Sequence, residues 1–373
     1  MAHYMCDGRI VGWGPTVEEI NSLSSIFDEI VHIGCLHNRP APPSALPYAN
    51  DRIKLIGVPA SGGKNLKDKL GILKLTPLYL KVMLRELSRA DIVHVRCPAN
   101  IPLLAIILLA FIQKPKYRWV KYAGNWQSQE KESWSYTFQR WWLKKGFHRG
   151  VVTINGEWPK PKHVFSFVNP CLTETDVTEA REISSIKELS SPYKFLFVGA
   201  VTENKGIHRA LRVARVLKDR GLNFTFDVIG DGPVRKICEE WASANGLSSI
   251  VNFLGWVPKP QLAPYYAKAH FLLFPTRSEG WAKVIGEAMA HGVVPLTSAV
   301  SCIPQMFSKI GGGIALPPND INAFVHSVIK YIQEPQRWKS TSKAGIRAAP
   351  LFTYEYYLGA VRKMFQEAWG VFL

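Results

Sequence analysis

The stretch TRSEGWAKVIGEAMAHG, residues 276–292, governs the reading of the whole chain. It follows the apolar run FLLFP, turns through a Glu-Gly, and continues as a helix that carries a second glutamate, Glu287, eight residues after Glu279. A strand feeding a helix in this way is half of a βα unit. Amides at the start of such a helix, here those of Gly280, Trp281 and Ala282, lack intrahelical acceptors and sit at the positive end of the helix dipole, a natural place for phosphate. A carboxylate at that mouth repels phosphate, so Glu279 makes more sense as an acceptor for a sugar hydroxyl beside it. Glu287 lies two turns in, among Val284, Ile285, Ala288 and Met289, partly buried by pattern and in need of donors. Two vicinal ribose hydroxyls would serve. Taken singly, Glu279 also reads as a helix-capping carboxylate and Glu287 as a residue on a solvated face.

Outward from this unit, strands keep alternating with amphipathic helices. In the second half strands are expected at 194–198, 225–229, 251–254, 269–274 and 293–296, with helices at 207–220, 234–245, 261–266 and 282–291. In the first half strands are expected at 29–36, 53–58, 91–95 and 117–122, with helices at 17–27, 78–88, 101–111 and 133–145. This is the α/β class with parallel sheets. The length of 373 residues is about twice what one core serves, and the polar stretch 173–192 reads as the boundary between two domains. The beginning is awkward. Only Arg9 to Val11 precede the loop-like Gly12-Trp13-Gly14-Pro15-Thr16, and polar residues precede those. The opening strand, central in a doubly wound sheet, is therefore expected to be short, irregular or supplied from upstream of Met1.

Hydrophobic residues make up 47% of the chain and charged residues 20%, which excludes a disordered tail. Six scattered cysteines without a CxxC point to free thiols in a reducing compartment, with neither zinc nor disulfides. No signal-peptide layout opens the chain. The run IPLLAIILLAFI, residues 101–112, would span only about 18 Å as a helix against a hydrocarbon core of ~30 Å, so it reads as a helix buried inside a domain.

The pair of glutamates in its setting is far more specific than either alone. Pro275, Thr276, Glu279, Gly280, Val284, Glu287, Ala288, Met289, Ala290 and Gly292 stand in register with P-[ST]-x-x-E-G-x-x-x-V-x-x-E-A-M-A-x-G, and here the chain resembles the retaining glycosyltransferases of family 4, among the glycosyl transferases group 1. Further segments follow in family order: GAVTENKG at 199–206, IGDGP at 229–233 and FLGWV at 253–257. The resemblance implies the GT-B fold: two Rossmann-like domains with parallel sheets facing across a cleft, 1–170 binding the acceptor, 171–351 the nucleotide sugar, and 352–373 a helix that packs back on the first domain. It implies transfer of a sugar from a UDP- or GDP-linked donor to an acceptor hydroxyl with retention of configuration, without metal or other cofactor, in the building of a polysaccharide, lipopolysaccharide or glycolipid. The acceptor is then a saccharide or a lipid-linked saccharide. Carried over residue by residue, Glu279 and Lys205 are the catalytic pair, Lys205 neutralising the diphosphate in place of a metal. Glu287 binds the ribose, Gly14, Gly199, Asn204, Gly280, Trp281 and Ala282 surround the donor, and Trp256 and Val257 meet the base through backbone groups.

Two departures stand out. Many relatives have an arginine soon after the glycine matching Gly199, whereas Ala200 and Val201 follow it here, leaving the phosphates to Lys205, helix amides, the Gly12-to-Thr16 segment, Arg277 or Lys283. Many also have a histidine after the strand matching 117–122, where this chain has Ala123-Gly124-Asn125-Trp126. Asn125 can hydrogen-bond a sugar but cannot transfer a proton. With Arg96, it is assigned to the acceptor side; His94 reads as a core histidine.

The charge balance, 46 Lys plus Arg against 29 Asp plus Glu, gives +17 and calls for a polyanion. Residues 1–170 hold 23 basic and 12 acidic side chains, net +11; residues 171–373 hold 23 and 17, net +6. Within 114–149, nine basic residues and five tryptophans surround two acids. Trp134, Phe138, Trp141 and Trp142 fall on one helix face, flanked by Lys131, Arg140, Lys144 and Lys145. That stripe is either core or a contact with an anionic membrane, where each basic residue contributes about 1 kcal/mol. The expected location is accordingly cytoplasmic, with attachment to the inner membrane face. A basic single-stranded nucleic-acid-binding protein and a GT-B protein without turnover are the competing readings. No nucleic acid is expected, since no recognition signature is present and the two glutamates would go unexplained.

Overall fold

The computed structural model describes residues 1–60, 66–127 and 132–373. They form two compact units, Met1–Phe167 together with Leu358–Leu373, and Val168–Tyr357.

The first unit opens with a hairpin of β1 (Ala2–Cys6) and β2 (Arg9–Trp13). Its turn residues Asp7 and Gly8 have φ of 48° and 73°, the left-handed pair that Asp-Gly turns supply. With β3 (Ile30–His37), β4 (Ala45–Pro47) and β5 (Ile53–Pro59) the hairpin builds a sheet of order β4-β2-β1-β3-β5. The opening strand is thus neither missing nor irregular: β1 is the middle strand, antiparallel to β2 and parallel to β3. Its polar His3 tolerates full burial because its ring nitrogens lie 3.3 Å from the Cys35 carbonyl and 2.8 Å from the Tyr48 hydroxyl. Nor do residues 12–16 form a loop. Gly12 and Trp13 end β2, and Gly14 opens α1 (Gly14–Leu23) with Pro15 in its first turn.

The second sheet of this unit is wholly parallel, β6 (Ile92–Cys97), β7 (Tyr117–Tyr122), β8 (Val151–Asn155) and β9 (Val164–Phe167) in chain order. The helices are α2 (Leu66–Leu87), which takes in Pro77 and starts well before residue 78, α3 (Asn100–Phe111) and α4 (Trp134–Lys144). Tyr79 and Met83 of α2, Ile106 and Leu109 of α3, and Val120, Tyr122, Val152 and Ile154 of the sheet share one core. Contrary to the expectation of a buried helix, only Ile106 and Leu109 of α3 are wholly buried.

The second unit's first helix is α5 (Glu174–Ser184), locked by a capping box between Thr173 and Asp176; the polar stretch 173–192 expected at the boundary lies just inside this unit, which starts at Val168. β10 (Tyr193–Val198), α6 (Ile207–Asp219), β11 (Phe224–Ile229), α7 (Arg235–Ala244) and β12 (Val251–Gly255) follow. Then come α8 (Ala263–Lys268), β13 (Phe271–Phe274), α9 (Lys283–Ala290), β14 (Val294–Ser298), α10 (Ile303–Ile310), β15 (Ile314–Leu316), α11 (Ile321–Gln333) and α12 (Pro335–Ala348). All six strands are parallel, in the order β12-β11-β10-β13-β14-β15. Every residue of β13 and β14 is buried, as helices on both faces demand. The last helix, α13 (Tyr354–Trp369), leaves this unit and completes the first, its Phe365 ring 6.1 Å from Phe27 and 6.3 Å from Trp119.

Candidate functional site

The sheet of the second unit starts in its middle. β11 and β12 extend it to one side of β10, β13 to β15 to the other, so the strand order reverses between β10 and β13, the switch point at whose carboxyl end α/β sheets bind ligands. The loop after β10 carries Gly199, Asn204 and Lys205; the loop after β13 carries residues 276–279. Backbone and side chains stitch the two together. The Arg277 amide donates to the Asn204 carbonyl at 2.7 Å, the Thr276 hydroxyl to the same oxygen at 3.1 Å, and the Asn204 carboxamide to the Ser278 carbonyl at 3.4 Å. Above this seam the Lys205 ammonium forms an ion pair with Glu279 and lies 5.7 Å from the centre of the Phe274 ring. Gly206 is obligatory: its φ is 85°, and a Cβ there would overlap the Pro275 carbonyl.

On the other flank the loops after β10, β11 and β12 nest by backbone contact. Gly199 donates to the Ile229 carbonyl at 3.0 Å, Val201 to Asp231 at 2.9 Å and Gly230 to Gly255 at 2.7 Å. A Cβ on Gly230 would overlap the Gly199 carbonyl. Asp231 accepts from the Gly232 amide at 2.7 Å and pairs with Arg235, a turn residue as its neighbours imply. Trp256, exposed, and Val257 follow directly at the end of β12.

α9 begins at Lys283, with Ala282 as its N-cap. Its first-turn amides are therefore those of Lys283 and Val284, further along the chain than the expected Gly280 to Ala282. Trp281 is buried and stacks flat on Phe352, 5.2 Å away at 3° between planes, and the Gly280 carbonyl accepts from the Cys302 thiol at 3.2 Å. Glu287 is buried and receives the Tyr266 hydroxyl at 2.8 Å. Burial, and then the adjacent carboxylate, raise the Tyr266 pKa far above that of a free phenol, which keeps it a donor. Lys187 pins the framework from behind, donating to the carbonyls of Tyr266, Ala269 and His291 at 2.7, 2.9 and 2.6 Å; burial brings its pKa down to about 7.

In the first unit the expected contacts are already occupied within the fold. The Gly14 amide donates to the Ser44 carbonyl at 3.0 Å, so it is not a free phosphate donor. Arg96 grips Glu19 with two nitrogens at 2.6 and 3.3 Å, and buried Lys121 meets the same carboxylate at 2.7 Å. The Asn125 side-chain oxygen accepts from the Gln127 amide at 3.1 Å and its carbonyl from Arg140 at 3.0 Å, a turn-fixing role. His94 lies 3.9 Å from Trp119, and burial lowers its pKa to about 3, so it is neutral. Sequence reasoning missed Glu19 and Tyr266. Lys121, set inside the buried strand YRWVKY, was the available signal that a carboxylate must wait nearby.

Solved structures share this architecture along nearly the whole chain. Sucrose-phosphate synthase from Thermosynechococcus elongatus superposes with a TM-score of 0.71 at 16% identity, covering 94% of this chain and 91% of that one. Anabaena HepE, in complex with UDP and glucose, gives 0.68 at 12% identity, covering 95% and 96%. The fold is GT-B, with α/β units as the sequence led us to expect; the sheets are parallel except where β2 runs antiparallel to β1 and β4. Residues 179–348, which include the stitched loops, match the family model described as Glycosyl transferases group 1. Among curated proteins, a glycosyltransferase of Methanocaldococcus jannaschii is 29% identical over 176 residues, 47% of this chain and 48% of that protein. The amylovoran biosynthesis glycosyltransferase AmsK of Erwinia amylovora is 27% identical over 151 residues, 39% and 37%. The chain thus spans about half or less of the curated relatives it matches.

Proposed function

We propose that the protein is a retaining, family-4 type glycosyltransferase that moves a sugar from a nucleotide diphosphate donor, UDP- or GDP-linked, to an acceptor hydroxyl. The observation that carries this reading is the meeting of Lys205 and Glu279 at the switch point of the sheet, with Glu287 just over one turn into the following helix. A diphosphate entering the crevice takes Lys205 as its counter-ion, and Glu279, released from that pair, accepts hydroxyls of the donor sugar. Glu287 takes the ribose hydroxyls. Trp256 and Val257 border the base. Charge developing on the leaving diphosphate is stabilised by Lys205 and the first-turn amides of α9, which leaves no step that requires a metal. The acceptor is a saccharide or lipid-linked saccharide of surface polysaccharide assembly, handled at the cytoplasmic face of a membrane.

A thermal-shift screen of nucleotide sugars tests donor binding, since a ligand of the native state raises the melting temperature by mass action. A shift with one donor, followed by NMR of the anomeric proton of the product and by assay in chelator, is expected to give retention and undiminished turnover. A shift without transfer to any acceptor would favour the reading of a binding protein. Tight single-strand nucleic acid binding without any donor shift would overturn the proposal.

A further inference from the structure

Helix α4 is folded with its polar side inward. Gln139, Arg140 and Leu143 are buried: Gln139 receives the Ala99 amide at 3.3 Å and Arg140 pairs with Glu132. Trp134 and Trp141 stand in solvent, 76% and 47% exposed. With Phe138, Trp142 and Phe147 they form a chain of ring contacts at 4.9 to 6.3 Å. The Trp142 indole donates to the Ile106 carbonyl at 3.0 Å, which sets α3 alongside. α3 has no charged side chain, is only half covered, and ends in Phe111, 77% exposed. A helix apolar on every side belongs in a core or against lipid, and the core covers only part of this one.

The charge around this face has one sign. Among the described residues from 92 to 156 the single carboxylate is Glu132, already engaged by Arg140, while Lys114, Lys116, Lys144, Lys145 and Arg149 are exposed. Among the described residues no helix is long and apolar enough to cross a membrane.

We propose that the α3–α4 face docks on an anionic bilayer surface, its rings at headgroup depth and its lysines over the lipid phosphates. Aromatic rings with one polar edge prefer that depth, and basic side chains are drawn to the surface potential of anionic lipid. A second copy of the chain is a poor occupant, because two faces of equal charge would oppose each other. Single-stranded nucleic acid is also disfavoured: the rings pack against one another and present no separate platforms for successive bases. This inference goes beyond the transfer reaction and stands independently of it.

Co-sedimentation of the whole chain with vesicles of phosphatidylglycerol and phosphatidylcholine, against phosphatidylcholine alone, provides the test. Binding is expected on the anionic vesicles and is expected to weaken with added salt. Lys144→Glu with Lys145→Glu, and separately Trp134→Ser with Trp141→Ser, should each lower vesicle affinity about tenfold or more. These side chains are exposed, so circular dichroism and the donor-induced thermal shift should stay as in the parent; loss of vesicle binding with the shift retained separates this face from the transferase site. Equal binding to both vesicle types, or binding unmoved by both variant pairs, overturns the proposal. So does self-association or oligonucleotide binding that the tryptophan variants abolish in a chain that ignores vesicles.

Discussion

Lys205 and Glu279, 74 residues apart in the chain, form an ion pair where β10 and β13 release their loops. Each keeps the other oriented; Lys205 is 30% exposed but Glu279 only 12%, so opening the pair needs a new partner for the carboxylate, the part given to donor-sugar hydroxyls in the proposed function. Lys205→Ala is expected to lower kcat/KM by about 10²-fold, the size of loss when one preorganised stabilising group is removed from a developing anion. Initial-rate assays on the donor found by thermal shift check this; near-parent turnover would assign the diphosphate to another cation such as Arg277 or Lys283.

Glu287 and Tyr266 separate binding from stability. Glu287→Ala should weaken nucleotide affinity about tenfold or more by calorimetry, the loss of a charged hydrogen-bond acceptor. Tyr266→Phe should cost about 1.5 to 3 kcal/mol in urea unfolding, because it leaves a buried carboxylate short of a donor. Parent-like affinity in Glu287→Ala would remove the ribose role.

The ion cluster of Glu19, Arg96 and Lys121 is structural by geometry, and Glu19→Ala tests it. Deleting the carboxylate that buried Lys121 and Arg96 share removes a buried ion pair from one side only, at an expected cost of about 3 to 5 kcal/mol. Lys121→Met should be milder, since the long apolar stem is kept and Arg96 still meets Glu19. Equal stability of Glu19→Ala and the parent would refute the account.

Acid should destabilise the protein before its carboxylates titrate. Burial, as the leading cause, holds the pKa of His94 at about 3 and those of His3, His148 and His270 at about 4, below the ordinary 6.5. The unfolded chain therefore binds protons that the fold refuses. This contribution is whole above pH 6.5 and is lost as pH falls towards 4, at up to about 1.4 kcal/mol per pH unit for each histidine. The urea midpoint should fall between pH 7.5 and pH 5.0; an unchanged midpoint would mean that these rings are protonated in the native state.

The second unit was the more legible half. Its strands are largely apolar and its helices amphipathic, so the observed β10, β11, β12, α6 and α9 depart from expectation by only one residue at most ends. The opening of the first unit was misread because β1 carries His3 in a buried position, admissible only through partners 32 and 45 residues away that no local pattern reveals. The Asp7-Gly8 turn was there to be read and was passed over. In α4 the periodicity gave the aromatic stripe but not its direction, since that depends on Gln139 and Arg140 finding partners inside. The paired glutamates were legible as a motif; that Tyr266 would hold one of them was not, because it depends on the packing of α8 against α9.

The return of α13 to the first unit also orders events during synthesis. Residues 1–167 leave the ribosome before the second unit, yet Phe365, whose ring contacts Phe27 and Trp119, and Trp369, which meets Tyr117 at 5.4 Å, are made only after it. The second unit is drawn from one continuous stretch and can close while the first still shows an uncovered aromatic seam. Of the two units the one made first is thus the later to mature, and a nascent chain stalled before residue 358 would expose that seam to chaperones and proteases.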